Sequence, residues 1–173
     1  MYSEQAALFL DRDGTLIVDR GYLSDPEGVQ LLPGVREFLA KLKAKNWLFF
    51  LHSNQSGVNR GFFTMSEVNQ CNRRLIELLG LGEDVFARIC CAVGTPDNPC
   101  PYRKPSPKFT LECLEEFNLN PNKCWMIGDR ISDVETGQAA HIHSILLTQK
   151  PQEIENCFCC RNFEEIFEIL QKH

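Results

Sequence analysis

Four short stretches of the chain combine acidic, hydroxyl and basic side chains in a way that could move a phosphoryl group. They are Asp11-Arg12-Asp13-Gly14-Thr15, Ser53-Asn54-Gln55-Ser56-Gly57, Arg103-Lys104-Pro105, and Gly128-Asp129-Arg130 with Asp133 beyond it. Asp11 and Asp129, brought together, would repel one another unless a cation bridged them. A small set of hard oxygen ligands suits Mg2+, which keeps waters and a substrate phosphate. An aspartate can attack phosphorus and form an aspartyl phosphate. A second aspartate two residues on, as Asp13 is to Asp11, can protonate the leaving group and then activate water. Lys104 and Ser53 can neutralise and hydrogen-bond the equatorial phosphoryl oxygens. Gly14 lets the backbone turn closely around a phosphate. The chemistry implied is phosphoryl transfer to water.

Such groups need a frame that brings them to one edge, and the hydrophobic pattern supplies it. Apolar runs at 6–10, 47–52, 85–93, 124–128 and 143–147 read as strands, with 143–147 the last of them. Between them lie segments of helical period. Pro33 opens a helix that buries Val35, Phe38, Leu39 and Leu42. Thr64 and Glu67 form a capping box for a helix whose apolar face is Val68, Cys71, Leu75, Leu78 and Leu79. A third helix covers roughly 108–117, Ser132 with Glu135 caps a fourth that runs to about Ala140, and Phe163, Ile166, Phe167 and Leu170 mark a fifth. Strand–helix alternation predicts a parallel sheet covered on both faces, a single doubly wound α/β domain spanning 1–173. In such a sheet ligands bind beyond the carboxyl ends of the strands, near the switch in strand order. Each of the four stretches follows a strand, the third after a loop with prolines at 96, 99, 101, 105 and 107.

Composition narrows the partners. The 173 residues carry 18 Lys and Arg against 23 Asp and Glu, a net charge of −5, which disfavours a general nucleic-acid binder. Hydrophobic residues at 43% allow a proper core, and no apolar run is long enough to span a bilayer. The first residues, 1–5, are polar and lack an export-signal pattern, so a cytoplasmic protein is expected. Nine cysteines, an odd number without an export signal, read mostly as reduced, buried thiols. Cys157-x-Cys159-Cys160 has no paired second cluster and reads as buried or loop thiols rather than a metal site.

The four stretches, in this order, resemble the motifs of the haloacid dehalogenase superfamily, and the resemblance spans nearly the whole chain. It implies a Rossmann-like domain in which Asp11 is the nucleophile and Asp13 the general acid and base, with Ser53 and Lys104 completing the catalytic set. It implies Mg2+ on Asp11, the Asp13 carbonyl and Asp129, with Asp133 supporting the site. Within the superfamily, Asp19-Arg20-Gly21-Tyr22, the run from Ser53 through Arg60-Gly61-Phe62-Phe63-Thr64, and Arg103-Lys104-Pro105 are similar to the D-glycero-D-manno-heptose-1,7-bisphosphate 7-phosphatases. That likeness implies substrate contacts from Asp19, Arg20, Gly21, Tyr22, Ser53, Asn54, Gln55, Ser56 and Arg103, with Arg60 and Arg103 as cations for the second phosphate. It also implies a phosphorylated-sugar substrate and a place in heptose supply for lipopolysaccharide biosynthesis. One departure stands out. Where relatives carry a zinc loop with Cys-x-His and Cys-x-Cys, this chain has Cys90-Cys91, Cys100 and Tyr102, so two of four ligands are missing and Zn2+ is not expected.

Two neighbouring activities share parts of the pattern. Histidinol-phosphate phosphatases share DRDGT, NQ and RKP but differ around 56–61. Polynucleotide 3′-phosphatases share similar patches, but the acidic balance speaks against backbone binding. There is no room for a large inserted cap domain, so the loops 19–32 and 91–102 are expected to close over the substrate. With no obvious apolar patch, a monomer is expected.

Overall fold

A computed structural model of the chain describes residues 2–150 and 152–173. Six strands form one sheet: β1 (Ala7–Leu10), β2 (Leu48–Asn54), β3 (Arg88–Ala92), β4 (Cys124–Gly128), β5 (His143–Leu147) and β6 (Cys157–Cys160). All pairings are parallel and the order is β3-β2-β1-β4-β5-β6. Five helices flank it: α1 (Val35–Lys43), α2 (Met65–Leu79), α3 (Lys108–Glu116), α4 (Ile131–Ala139) and α5 (Phe163–Leu170).

Period-two alternation along the strands divides the core in two. Leu8, Leu10, Phe49, Leu51 and Ile127 face a layer with α1, α2 and α5, whose Val35, Leu39, Leu75 and Ile166 are fully buried there. Ala7, Phe9, Phe50 and Met126 face the other way, against Phe109 and Cys113 of α3. Phe9 stacks on Phe50 at 4.7 Å and meets Phe109 edge-on at 6.3 Å, which fixes β1 and β2 against α3. A strand buried on both sides must be apolar throughout, and β1 is (Ala-Leu-Phe-Leu).

The chain order jumps at β1, which pairs with β2 on one side and β4 on the other. Leu10 lies level with Leu51 and Ile127. The residues just beyond these three therefore meet above the switch point, where ligands of open α/β sheets bind. The Asp11 amide continues the ladder by donating to the Ile127 carbonyl at 3.0 Å.

Several features depart from the sequence expectation. His143–Leu147 is not the last strand, because β6 adds to its outer edge with Ser144 opposite Cys157 and Leu147 opposite Cys160. Its Cys-Phe-Cys-Cys sequence carries no β-branched signal, and the pairing rather than propensity makes it a strand. The third strand is shorter than 85–93, since Val85 and Phe86 turn inward to the core before Arg88 begins the ladder. Finally, α4 is not capped by Ser132 and Glu135. Arg130 is its N-cap, and the Asp133 carboxylate at the third helical position accepts from the Arg130 amide at 3.0 Å. The strand runs almost directly into the helix there, so the cap falls two residues earlier. The Thr64–Glu67 box on α2 forms as expected.

Candidate active site

The carboxyl ends of β1, β2 and β4 and the 94–105 loop enclose a cavity of about 720 Å3. Asp11 lies at its base, one residue past β1, and is 6% exposed. Lys104, 3% exposed, reaches in and places Nζ 2.7 Å from Asp11 Oδ1 and 2.6 Å from Asp133 Oδ1. Burial works against the Lys104 ammonium, yet the two carboxylates hold it protonated, above its ordinary range. Burial pushes Asp11 up to about 7, with the Lys104 charge opposing and the Asp133 charge assisting. Asp129 is also raised, by burial and then by Asp133.

Asp11, Asp129 and Asp133 bring carboxylate oxygens within 4.8 Å of one another. Lys104 pairs with only Asp11 and Asp133 of the three, and Asp129 Oδ1 is buried with no hydrogen-bond partner. A cluster of hard oxygen donors with surplus negative charge and an orphaned buried oxygen fits a small divalent cation such as Mg2+. The turn that brings Asp129 alongside needs glycine. Gly14 has φ +84°, and a Cβ there would sit 2.3 Å from Asp129 Oδ2.

Asp13 is held on the cavity wall by three side chains. Arg12 Nε and Gln55 Nε2 donate to its Oδ2 at 3.0 and 2.9 Å, and the Ser53 hydroxyl approaches the same oxygen at 3.5 Å. Gln55 also donates to Ser53 Oγ at 2.7 Å. β2 extends through Ser53 and Asn54, two residues past the expected end, so these two are the strand's own terminus. Asn54 grips the backbone of the lysine loop, accepting from the Lys104 amide at 3.0 Å and donating to its carbonyl at 3.1 Å. His52 pins the same loop, its Nε2 lying 2.8 Å from the Tyr102 carbonyl.

The two expected closing loops do wall the cavity. Asp19, Gly21 and Tyr22 line one side, and Pro96, Pro99 and Arg103 another. Arg103 is fixed by donation to the Gly94 carbonyl at 2.8 Å. Tyr22, half exposed, meets Phe62 edge-on at 4.6 Å on the rim. Ser56 also lines the cavity. Arg20 and Arg60 do not. Arg20 is tied to the Gly28 carbonyl and the Gln30 side chain, and Arg60 is exposed on the turn after β2. The sequence reading did not single out Arg130, which lines the cavity and pairs with Asp19 at 3.0 Å, or buried Arg12 and Asn72. Asn72 had a usable signal: it falls four residues after Val68, on the apolar face of α2. All nine cysteines are unpaired. Cys71, Cys113, Cys124 and Cys160 are buried, and the others are partly covered.

An open parallel sheet with an aspartate past its central strand, a buried lysine on that aspartate and a carboxylate cluster beside it defines a hydrolase of the phosphoryl-transfer kind. The pattern of the haloacid dehalogenase-like hydrolases matches residues 19–141, and the chain belongs to that family. It is 34% identical, over 99% of its own length and 100% of the relative's, to the D-glycero-beta-D-manno-heptose-1,7-bisphosphate 7-phosphatase of Helicobacter pylori. It is 32% identical to the alpha-anomer enzyme of Campylobacter jejuni, covering 95% of this chain and 93% of that one. Its fold is that of the B. bronchiseptica D,D-heptose 1,7-bisphosphate phosphatase, crystallised with magnesium and phosphate, at a TM-score of 0.85 and 24% identity over 98% of this chain and 100% of that one. No helix among the described residues is long and apolar enough to cross a membrane.

Proposed function

We propose that the chain hydrolyses the 7-phosphate of D-glycero-D-manno-heptose 1,7-bisphosphate through an aspartyl phosphate on Asp11. The observation that carries this reading is the buried Asp11–Lys104 contact of 2.7 Å at the floor of a cavity that Asp13 also lines. Asp11 attacks phosphorus as the bond to the sugar oxygen breaks, and Asp13 gives that oxygen its proton. Water then attacks the acyl phosphate, Asp13 takes its proton, and orthophosphate leaves with Asp11 restored. Lys104 and Ser53 stabilise charge on the phosphoryl oxygens. Asp11, Asp129 and the Asp13 carbonyl would hold Mg2+, with Asp133 beside them, and the cation would neutralise charge on the phosphoryl group and favour ionised Asp11.

The second phosphate of the substrate needs cations away from the reacting one. Arg103 and Arg130 line the cavity and supply guanidinium groups suited to phosphate, whereas Arg20 and Arg60 lie outside it. The net charge of −5 favours a small sugar phosphate over a polynucleotide. The enzyme is read as a monomeric single domain without Zn2+, acting in the cytoplasm, where its nine unpaired thiols would stay reduced.

The test is Mg2+-dependent phosphate release from both anomers of heptose 1,7-bisphosphate, fructose 1,6-bisphosphate, histidinol phosphate and a 3′-phosphorylated oligonucleotide. A preference of about a hundredfold in kcat/KM for a heptose anomer, roughly 2.7 kcal/mol of differential binding, is expected. Comparable rates on all would overturn the substrate assignment, and full activity in Asp11→Asn would overturn the nucleophile.

A further inference from the structure

Arg12 sits between the two aspartates of the first motif, yet it does not line the cavity and is only 1% exposed. A guanidinium cannot shed its charge in a protein, so one buried this deeply needs a fixed counter-ion. Among the described residues its ion-pair partner is Asp13. The contact is a side-on fork, with Nε 3.0 Å from Oδ2 and Nη2 3.3 Å from Oδ1. The third donor, Nη1, reaches Asn72 Oδ1 at 2.9 Å on the buried face of α2. Asn72 is itself 4% exposed and donates its Nδ2 to Cys91 Sγ on β3 at 3.3 Å. The guanidinium is thereby fixed at both ends, and the Asp13 carboxylate, 15% exposed, is its one outlet to the cavity.

An aspartate side chain turns about two bonds, and proton transfer requires its oxygen within hydrogen-bond reach of the leaving atom. A planar fork sets the carboxylate plane, which a lysine ammonium cannot do. We propose that Arg12, anchored by Asn72, is a positioning residue that orients Asp13 for protonating the departing sugar oxygen. The proposal rests on the phosphatase reading above. It has a selective consequence. A sugar alkoxide leaves poorly without a proton, whereas p-nitrophenolate leaves without one.

Arg12→Lys keeps the charge and loses the fork, and Asn72→Ala removes the anchor without touching Asp13. Values of kcat and KM are measured with Mg2+ for heptose 1,7-bisphosphate, fructose 1,6-bisphosphate and p-nitrophenyl phosphate, with folding checked by thermal melts. On the sugar phosphates kcat is expected to fall about a hundredfold in Arg12→Lys and about tenfold in Asn72→Ala, with KM within about threefold. On p-nitrophenyl phosphate kcat/KM, which reports formation of the aspartyl phosphate and not its hydrolysis, stays within about threefold of wild type in both variants. Equal losses of kcat/KM on sugar and aryl substrates, or a change confined to KM, overturn the proposal. If Arg12→Lys does not fold, Asn72→Ala decides by the same ratio. Wild type that hydrolyses none of the three overturns the phosphatase reading and this one with it. Wild type active on fructose 1,6-bisphosphate but not the heptose compound overturns only the substrate, and the Arg12 comparison then stands on fructose bisphosphate.

Discussion

Asn54 holds Lys104 by its backbone, accepting from its amide at 3.0 Å and donating to its carbonyl at 3.1 Å across fifty residues of sequence. The last residue of β2 therefore sets where the lysine loop crosses the cavity, and the Lys104 side chain inherits that position. Asn54→Ala is expected to lower kcat by about 10–100-fold, since a shift near 1 Å costs that much in a positioned site. Two lost hydrogen bonds should cost about 1–3 kcal/mol of stability. Steady-state kinetics with a urea melt check both effects, and an unchanged kcat would show that the loop holds itself.

Asp133 serves two elements at once. Its Oδ2 caps the Arg130 amide at 3.0 Å, and its Oδ1 pairs with Lys104 at 2.6 Å. Asp133→Asn keeps an acceptor for the cap but removes the charge. It should lose at least about tenfold in kcat, and with its amide nitrogen facing the buried Lys104 Nζ it should cost about 1–2 kcal/mol of stability. Asp133→Ala removes both, leaving the helix end uncapped and Lys104 short of a partner, and should cost about 2–4 kcal/mol. The contrast between the two variants, read by kinetics and denaturant midpoints, separates capping from charge.

Much of this site could be read from the sequence because its parts obey local rules. Asp11, Ser53, Lys104 and Asp129 lie at or beyond the ends of strands that announce themselves as apolar runs, and parallel topology then forces them to one edge. The pieces that escaped are those decided by tertiary pairing. β6 is a strand because β5 offers it an edge, and nothing in Cys-Phe-Cys-Cys says so. The α4 cap moved from Ser132 to Arg130 because β4 leads straight into the helix. Arg60 looked as well placed as Arg103, but only Arg103 is drawn to the cavity, through a bond to the Gly94 carbonyl that no local pattern foretells. Arg12 and Asn72 lie 60 residues apart, and their hydrogen bond exists only in the fold.

Gly14 approaches the carboxylate cluster more closely than any side chain could. A methyl group there would lie 2.3 Å from Asp129 Oδ2, on a backbone at φ +84° that alanine adopts at a cost of about 1–2 kcal/mol. Gly14→Ala should therefore displace Asp129 and weaken Mg2+ binding by at least about tenfold, measured by the Mg2+ dependence of activity. In the wild type, saturating Mg2+ should raise the melting temperature, since a ligand bound only by the native state stabilises it. Asp129→Asn should remove most of that rise. A Gly14→Ala protein with wild-type Mg2+ dependence would exclude Asp129 from the metal set.

His52 should make the fold acid-sensitive. It is fully buried on β2, and its pKa is lowered to about 3 by burial and then by the Lys104 charge. In the unfolded chain it titrates near 6.5, so the unfolded state binds the extra proton first as pH falls. Stability from keeping His52 neutral is complete above about pH 6.5 and is lost progressively down to about 3. At pH 5 the loss is about 2 kcal/mol relative to neutral pH. Asp11 works in the opposite direction. Its native pKa near 7 exceeds the unfolded value, so between about pH 7 and 4 the native state takes up its proton first and gains stability. Comparing wild type with His52→Gln cancels the Asp11 contribution and leaves that of His52. The glutamine amide can still donate to the Tyr102 carbonyl, so the loop contact is kept while the titration is removed. Urea unfolding at pH 7 and pH 5 should show wild type losing about 2 kcal/mol more than the variant, and parallel losses would mean that His52 is protonated as readily in the fold as in water.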